Sequence, residues 1–386
     1  MFFRLKKNSL CGKGASLFFC FYNVLLALPC FFQKKRSQSI HEESPKILLC
    51  CFASLGDVLL ASYSISPLKK RWPKARIGFL CSPISASMLQ IVKDVDFIHT
   101  IPYWMKKQSK LKNLFSLFYH SLFIYPQIAK EIQGIKYDLS IELHPFFPNT
   151  IPIAKRARIP RRIGFGSGGY DILLTDPVDL PEKREYLPFL YRKLLAVLES
   201  DLDSPKASLE IPFSQKIANE IKGRSFILLQ MGTSDCRKEW APEYWHAVAI
   251  ELVRLGFFLV FTGKGAHDID LWNKARLEGL GVNLIDALDL AEFAFLLRQA
   301  KAVISVDSFP VHLAAILQVP FVALYLYSES IEFWLPEDAC GSLLVKNECV
   351  RKNSKKNHPR ASYLDKISPL DVLLKVKILL EEVLVL

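Results

Sequence analysis

Val303-Ile304-Ser305-Val306-Asp307-Ser308-Phe309-Pro310-Val311-His312-Leu313-Ala314-Ala315 reads as strand, tight turn and helix in one short span. The β-branched apolar run Val303–Val306 has the character of a buried strand. It ends in Asp-Ser, and Pro310 then opens an apolar helix that runs into Ile316-Leu317. At such a junction the first backbone N–H groups of the helix face whatever sits above the strand's carboxyl end, and they favour an anion. Asp307, Ser308 and His312 crowd that point with polar groups between two apolar segments. A purely structural alternative is an Asp or Ser N-cap with a buried His.

The same alternation extends outward from this stretch. Upstream, Ser225–Gln230, Phe257–Phe261 and Val282–Ile285 read as strands. Tyr244–Leu255, Ile269–Leu277 and Ala291–Gln299 read as helices between them, and Phe321–Tyr325 is a further strand. An earlier unit has the same rhythm, with strands at Lys46–Phe52, Ala75–Cys81, Asp96–Ile101 and Tyr137–Leu143. Its helical stretches are Val58–Lys70 and Leu111–Gln133. Strands alternating with helices predict right-handed crossovers and parallel, doubly wound sheets. The expected organisation is an N-terminal segment and linker over 1–45, a first Rossmann-like domain over 46–212 and a second over 213–386, whose last helix is free to return to the first domain. Two such α/β units are expected to face a cleft, with ligands at the strands' carboxyl ends.

The length of 386 residues suits two domains. With 51% apolar and 23% charged residues, the chain is no disordered protein. A net charge of +12 points to nucleic acid, an anionic membrane surface or an anionic substrate. No nucleic-acid-binding module is present in the sequence, so nucleic acid is set aside as a partner. The basic residues cluster around Arg4–Arg36, at Lys155–Arg162 and at Arg351–Arg360, and the last group reads as a solvated loop. The nine cysteines form no C-x-x-C pair, which suits reduced thiols rather than a disulfide framework or a zinc site. Ala15–Phe32 is almost wholly apolar, flanked by basic residues, and lacks a small-residue cleavage site. We read it as a membrane anchor or an interfacial segment, the alternative being an extra helix packed on the body.

Two further turns carry chemistry. Gln230-Met-Gly-Thr-Ser-Asp-Cys-Arg-Lys-Glu-Trp240 follows a strand, and Gly232 allows a close bend. Thr233 and Ser234 offer hydroxyls there, and Lys238 can bring a positive charge to a phosphate. Thr262-Gly-Lys-Gly-Ala-His-Asp268 is a Gly-containing turn suited to a ribose, or a plain loop. Together these turns suggest a nucleotide diphosphate site. In the first unit Asp57 follows a strand and precedes a helix, as an N-cap or as a carboxylate aimed at substrate. Gly164-Phe-Gly-Ser-Gly-Gly169 fits G-x-G-x-x-G but lacks the strand-then-helix context of a dinucleotide site.

With these motifs the sequence resembles the ADP-heptose:lipopolysaccharide heptosyltransferase family, glycosyltransferase family 9. Ser54-Leu-Gly-Asp-Val58, Gly232-Thr-Ser-x-x-x-Lys238-x-Trp240 and Ser305-Val-Asp-Ser-x-Pro-Val-His-Leu-Ala-Ala315 carry the resemblance in order. Arg161-Arg-Ile-Gly-Phe165 and Ile367-Ser-Pro-x-x-Val372 fit as well, so the likeness spans about residues 46–386. It implies the α/β GT-B fold and inverting transfer of a heptose from ADP-heptose to the Kdo/inner-core region of lipopolysaccharide, without a metal or other cofactor. It implies Asp57 as general base and Thr233, Ser234, Lys238, Asp307, Ser308 and His312 around the donor's diphosphate and sugar. Asp268 and Leu288 fall where the family meets the nucleoside, and Arg161 and Arg162 suit the anionic acceptor. The implied setting is the cytoplasmic face of the inner membrane, with the membrane surface as a partner. Two positions depart from the family pattern. Phe309 stands where Gly is usual, and Cys51 stands where Arg or Lys is usual. Alternative readings are a silent sugar-nucleotide binder at the membrane, or another GT-B enzyme such as a sugar-nucleotide epimerase.

Overall fold

The apolar run Lys46–Cys50 forms β1, the centre of a six-stranded parallel sheet. The structure is a computed structural model and describes residues 43–102, 116, 119–145, 150–166, 171–181, 184–198, 207–326, 331–336, 341–346, 364 and 366–383. The anchor expected at Ala15–Phe32 lies outside the described residues, as do the basic group Arg351–Arg360 and part of Gly164–Gly169. Among the described residues no helix is long and apolar enough to cross a membrane.

The chain forms two compact units that divide between Glu210 and Ile211. In the first, β2 (Arg76–Cys81), β3 (Phe97–Thr100), β4 (Leu139–Glu142), β5 (Arg161–Phe165) and β6 (Asp176–Val178) join β1 in the order β3-β2-β1-β4-β5-β6. In the second, β7 (Phe226–Gln230), β8 (Phe258–Thr262), β9 (Val282–Asn283), β10 (Ala302–Val306), β11 (Phe321–Leu326) and β12 (Gly341–Lys346) take the order β12-β11-β10-β7-β8-β9. Both sheets thus have one doubly wound order, reversing between β1 and β4 in the first and between β7 and β10 in the second. The pairings within both sheets are parallel, with Cys50 opposite Glu142 and Ser305 opposite Gln230 at the two reversal points. The continuously buried strands suit sheets covered on both faces.

The helices follow from local sequence. The helix expected over Val58–Lys70 is broken into α1 (Leu55–Ala61), a 3₁₀ turn (Ser62–Ser64) and α2 (Ile65–Arg71). Pro67 explains the break, because it lacks an N–H and its ring opposes the carbonyl four residues back. After α3 (Pro83–Ala86), a π-turn at His120–Ile124 leads into α4 (Tyr125–Ile135), with Pro126 at the helix start. Then come α5 (Ile151–Arg156), α6 (Leu187–Leu195), α7 (Gln215–Ile221), α8 (Pro242–Arg254), α9 (Ala266–Lys274), α10 (Leu290–Arg298), α11 (Phe309–Ile316) and α12 (Pro369–Val383).

The first unit's core joins Leu48, Cys50 and Leu80 of the sheet to Ile128, Ala129 and Ile132 of α4. The second unit's core joins Leu229, Phe261 and Ile304 to Trp240, Trp245 and Leu252. It also takes in Val372, Val376 and Leu379 of α12. The last helix, which the sequence left free to return to the first domain, therefore packs within its own unit, against α8 and β11. Trp240 is the link: its indole N–H donates to the Ile367 carbonyl at 2.9 Å, tying the segment before α12 to the turn after β7.

Candidate active site

In each unit, the polar side chains of the sequence motifs gather where the strand order reverses. This is the crevice position at which open α/β sheets bind ligands.

In the second unit the turn after β7 is shaped by its own side chains. Asp235 caps the 3₁₀ turn Cys236–Lys238, accepting from the Arg237 N–H at 3.1 Å. It also holds the Arg237 guanidinium, at 2.9 Å to Nε and 2.5 Å to Nη2. Those bonds hold the Asp235 carboxyl below its ordinary range, against the opposing effect of burial. Thr233 Oγ1 accepts from the Asp235 N–H at 3.3 Å, and Ser234 is exposed. Lys238 then reaches across to the turn after β10, where its Nζ lies 2.6 Å from Asp307 Oδ2. The predicted cation and the predicted acid are therefore a direct ion pair.

Ser308 is the N-cap of α11, in extended backbone at φ −156° and ψ 176°. Its hydroxyl does not cap the helix. It donates back to the Val306 carbonyl at 3.2 Å and sits 3.3 Å from Ser305 Oγ. The dipole end of α11 is thus left without a side-chain cap, a setting that favours an anion. His312 is buried in the first turn of α11. Phe309 occupies the first helical position with ordinary negative φ, so no left-handed backbone is needed there. Its ring turns toward Phe293 of α10, with centroids 6.1 Å apart.

Asp268 opens α9 and is buried. Its carboxylate accepts from the Lys264 N–H at 2.9 Å and packs against two backbones. A Cβ built at Gly232 would lie 2.0 Å from Asp268 Oδ1, and one at Gly263 would lie 2.5 Å from Oδ2. Gly232 is required for this close approach and not for a left-handed bend, since its φ is not positive. Burial pushes the Asp268 carboxyl up, partly offset by the Lys264 N–H. Nearby, Asp286 accepts from the Gly265 N–H at 2.8 Å. Leu288 is half-buried, just before the α10 N-cap Asp289.

In the first unit, Asp57 is not the N-cap of α1. Ser54 holds that position in extended backbone, and Asp57 is the third helical residue. Asp57 Oδ2 accepts from the Ser54 N–H at 3.1 Å and from Ser54 Oγ at 2.6 Å. This is the acidic half of a capping box, and it fixes the carboxylate at the helix N-terminus beside the end of β1. Asp57 is half-buried. It acts electrostatically on Cys51, on His144 and on Tyr191 of α6.

Arg161 and Arg162 lie inside the sheet, on β5, and do not form a solvated patch with Lys155 and Arg156. Arg161 Nη2 contacts Asp176 Oδ1 at 3.2 Å and the Val197 carbonyl at 3.2 Å. Arg162 is buried and spends its guanidinium on the carbonyls of Leu173, Ile159 and Pro160. Both guanidiniums therefore have partners within the first unit.

One residue at the first reversal point has no counterpart in the sequence motifs. Glu142 ends β4 and is buried at 4% exposure. It hydrogen-bonds the Thr150 hydroxyl, and its Oε1 accepts from the His144 N–H at 3.2 Å. Burial pushes its carboxyl up to about 8. The available signal is a lone acid, Glu142, within the mostly apolar strand segment Leu139–Leu143.

Comparison with known proteins adds an independent line. The family model of glycosyltransferase family 9 (heptosyltransferase) matches residues 126–362. Lipooligosaccharide heptosyltransferase 2 of Haemophilus ducreyi is 24% identical over 329 residues, covering 78% of this chain and 88% of that protein. A glycosyl transferase family 9 structure from Veillonella parvula superposes with a TM-score of 0.71 at 21% identity, covering 90% of this chain and 100% of its own. The E. coli ADP-heptose lps heptosyltransferase II structure gives 0.68 at 21% identity, covering 87% and 99%.

Proposed function

The chain belongs to glycosyltransferase family 9, the heptosyltransferase family, and from that premise we propose that it moves a heptose from ADP-heptose to the Kdo-bearing inner core of lipopolysaccharide, with inversion and with Asp57 as general base. The observation that carries this reading is the pairing of Lys238 with Asp307 at the uncapped end of α11. That arrangement places a cation, hydroxyls and a helix dipole together, which suits a pyrophosphate. The names of the similar proteins support the donor and the acceptor class, since one is an ADP-heptose enzyme and another acts on lipooligosaccharide.

In the proposed reaction an acceptor hydroxyl attacks the anomeric carbon of the heptose. The bond from that carbon to the diphosphate oxygen breaks, and ADP departs with the electron pair. Asp57 takes the proton of the attacking hydroxyl. The capping box supports this role, because the two bonds from Ser54 to Oδ2 hold the carboxylate in one orientation. Most of the acceleration is assigned to charge stabilisation on the departing diphosphate by Lys238, Thr233, Ser234 and the N-terminus of α11. Within that arrangement Asp307 orients Lys238, and His312 stands in the first turn behind Ser308.

Asp268 and Leu288 are proposed to stand near the nucleoside, with Asp268 also holding the Gly232 and Gly263 backbones in place. Membrane association is proposed to reside in Ala15–Phe32 and to bring the enzyme to its lipid acceptor at the cytoplasmic face of the inner membrane. The reading is tested by incubating purified enzyme with a panel of sugar nucleotides and Kdo-bearing lipid acceptors. ADP-heptose-dependent mass gain on the acceptor is the expected result. Turnover of the donor without an acceptor product, or with another sugar alone, contradicts it.

A further inference from the structure

Three consecutive residues close the turn after β7, and each is fastened to a different element of the second unit. Lys238 pairs with Asp307 of the turn after β10. Trp240 donates to the Ile367 carbonyl before α12. Between them, Glu239 Oε1 lies 2.9 Å from Nε2 of His267, in the first turn of α9. Strand order explains the divergence. β7 lies between β10 and β8, so Lys238 reaches the turn of one neighbour and Glu239 that of the other. Glu239 stands in extended backbone, φ −74° and ψ 146°, where successive side chains point to opposite sides.

The start of α9 holds the same turn at its other end. Asp268, the residue after His267, packs its carboxylate against Gly232 and leaves no room for a Cβ there. His267 and Asp268 thus grip the two ends of the segment Gly232–Glu239, and Thr233, Ser234 and Lys238 lie between the two grips. His267 and Glu239 also act electrostatically on the Asp268 carboxyl, in opposite senses. A carboxylate only accepts, so the imidazole donates to Glu239 through Nε2. The Glu239 side chain is 20% exposed and that of His267 53%, so water screens the pair and its contribution to stability is small. Its consequence is geometric.

We propose that Glu239 and His267 are positioning residues for the donor, a clip that fixes the turn meeting the diphosphate at one spacing from the helix start meeting the nucleoside. The inference rests on the reading of this unit as the donor site, with Thr233, Ser234 and Lys238 on the diphosphate and Asp268 near the nucleoside. A nucleoside diphosphate spans both places, so it gains from a spacing set before it arrives. Either half of that ligand alone meets one place and gains nothing from the spacing. Neither Glu239 nor His267 needs to touch the donor, and removing either one releases the same restraint. The two side chains therefore act as one unit.

The test measures dissociation constants of the full chain for ADP, adenosine and inorganic pyrophosphate, by calorimetry for ADP and by competition for the two fragments. Wild type is compared with Glu239→Ala, His267→Ala and the double variant. Each single variant is expected to weaken ADP about two- to fivefold, the scale of one partly exposed pair. The double variant is expected to match the weaker-binding single within about twofold. Adenosine and pyrophosphate are expected to stay within about 1.5-fold of wild type. ADP weakened by less than about twofold in a folded single variant overturns the proposal. So does a loss shared equally by adenosine or pyrophosphate, which marks direct contact or a general loosening of the turn. Additive losses in the double variant overturn it too, since they deny the pair. Should one single variant fail to fold, the other reads the clip by itself. Wild type and variants that follow the expected pattern without any heptose transfer overturn the transfer reading alone. Wild type that binds no ADP overturns the donor site, and the clip with it.

Discussion

Lys238 Nζ lies 2.6 Å from Asp307 Oδ2, joining the turn after β7 to the turn after β10 at the reversal of the second sheet. The pair has two consequences. It holds the lysine in place before any ligand arrives, which lowers the ordering cost of binding. It also links the two turns, so that removing either partner disturbs both.

Lys238→Met is therefore expected to lower kcat by about 10²–10³-fold, the range for losing one preorganised donor to a developing anion. Steady-state kinetics over donor concentration check it. Asp307→Asn, which keeps the shape and weakens the pair, is expected to fall between wild type and Lys238→Met.

Gly232→Ala is expected to destabilise the second unit, because the new Cβ would lie 2.0 Å from the Asp268 carboxylate. Overpacking of this kind costs about 1–3 kcal/mol. The cause is specific, so Asp268→Ala in the same chain recovers part of the loss. A double-mutant cycle by urea unfolding shows this as a non-additive energy, and additive losses contradict the contact.

Trp240→Phe keeps most of the apolar contact with Trp245 and removes the indole N–H bond to Ile367. The expected loss is about 1–2 kcal/mol, a hydrogen bond plus an unpaired buried carbonyl. Trp240→Ala adds a core cavity and costs about 3–5 kcal/mol. Thermal unfolding, read with the α12 segment labelled, checks whether the last helix loosens first.

Phe309→Ala removes the ring that meets Phe293. Aromatic pairs contribute about 0.5–1.5 kcal/mol beyond their area, so a modest loss of stability is expected. Because the ring turns toward α10, donor affinity by calorimetry is expected to change less than about tenfold. A larger gain in affinity would show that the ring blocks the site.

Much of this architecture is written in local sequence. Val303–Val306 followed by Asp-Ser and Pro310 gives strand, turn and helix within about one residue of the observed bounds. The strands of both sheet centres are likewise read from continuous apolar runs, which only a doubly covered parallel sheet rewards. Other elements escape such reading for stated reasons. Arg161-Arg162 begins β5, but in sequence paired arginines suggest an anionic partner, and only the structure shows Asp176 and four backbone carbonyls receiving them. Pro177 hides β6, which tolerates it as an edge strand. The packing of α12 on α8, like the bond from Trp240 to the Ile367 carbonyl beside it, joins residues far apart in sequence. In the site, the motifs point to Asp57, Lys238 and Asp307, and the ion pair between the last two emerges only in three dimensions. Glu142 belongs to no motif, because its chemistry comes from burial and not from spacing.

The central claim is that Asp57 takes the proton of the attacking hydroxyl. Asp57→Asn tests it directly, since an Asn oxygen can still accept from the Ser54 N–H and preserve the helix start. Transfer from ADP-heptose to a Kdo-bearing acceptor is measured alongside donor affinity by calorimetry and the unfolding midpoint. The account predicts transfer lowered by at least about 10³-fold, with donor affinity and midpoint close to wild type. Turnover of the Asn variant within a few-fold of wild type would contradict it and leave Asp57 as a helix cap alone.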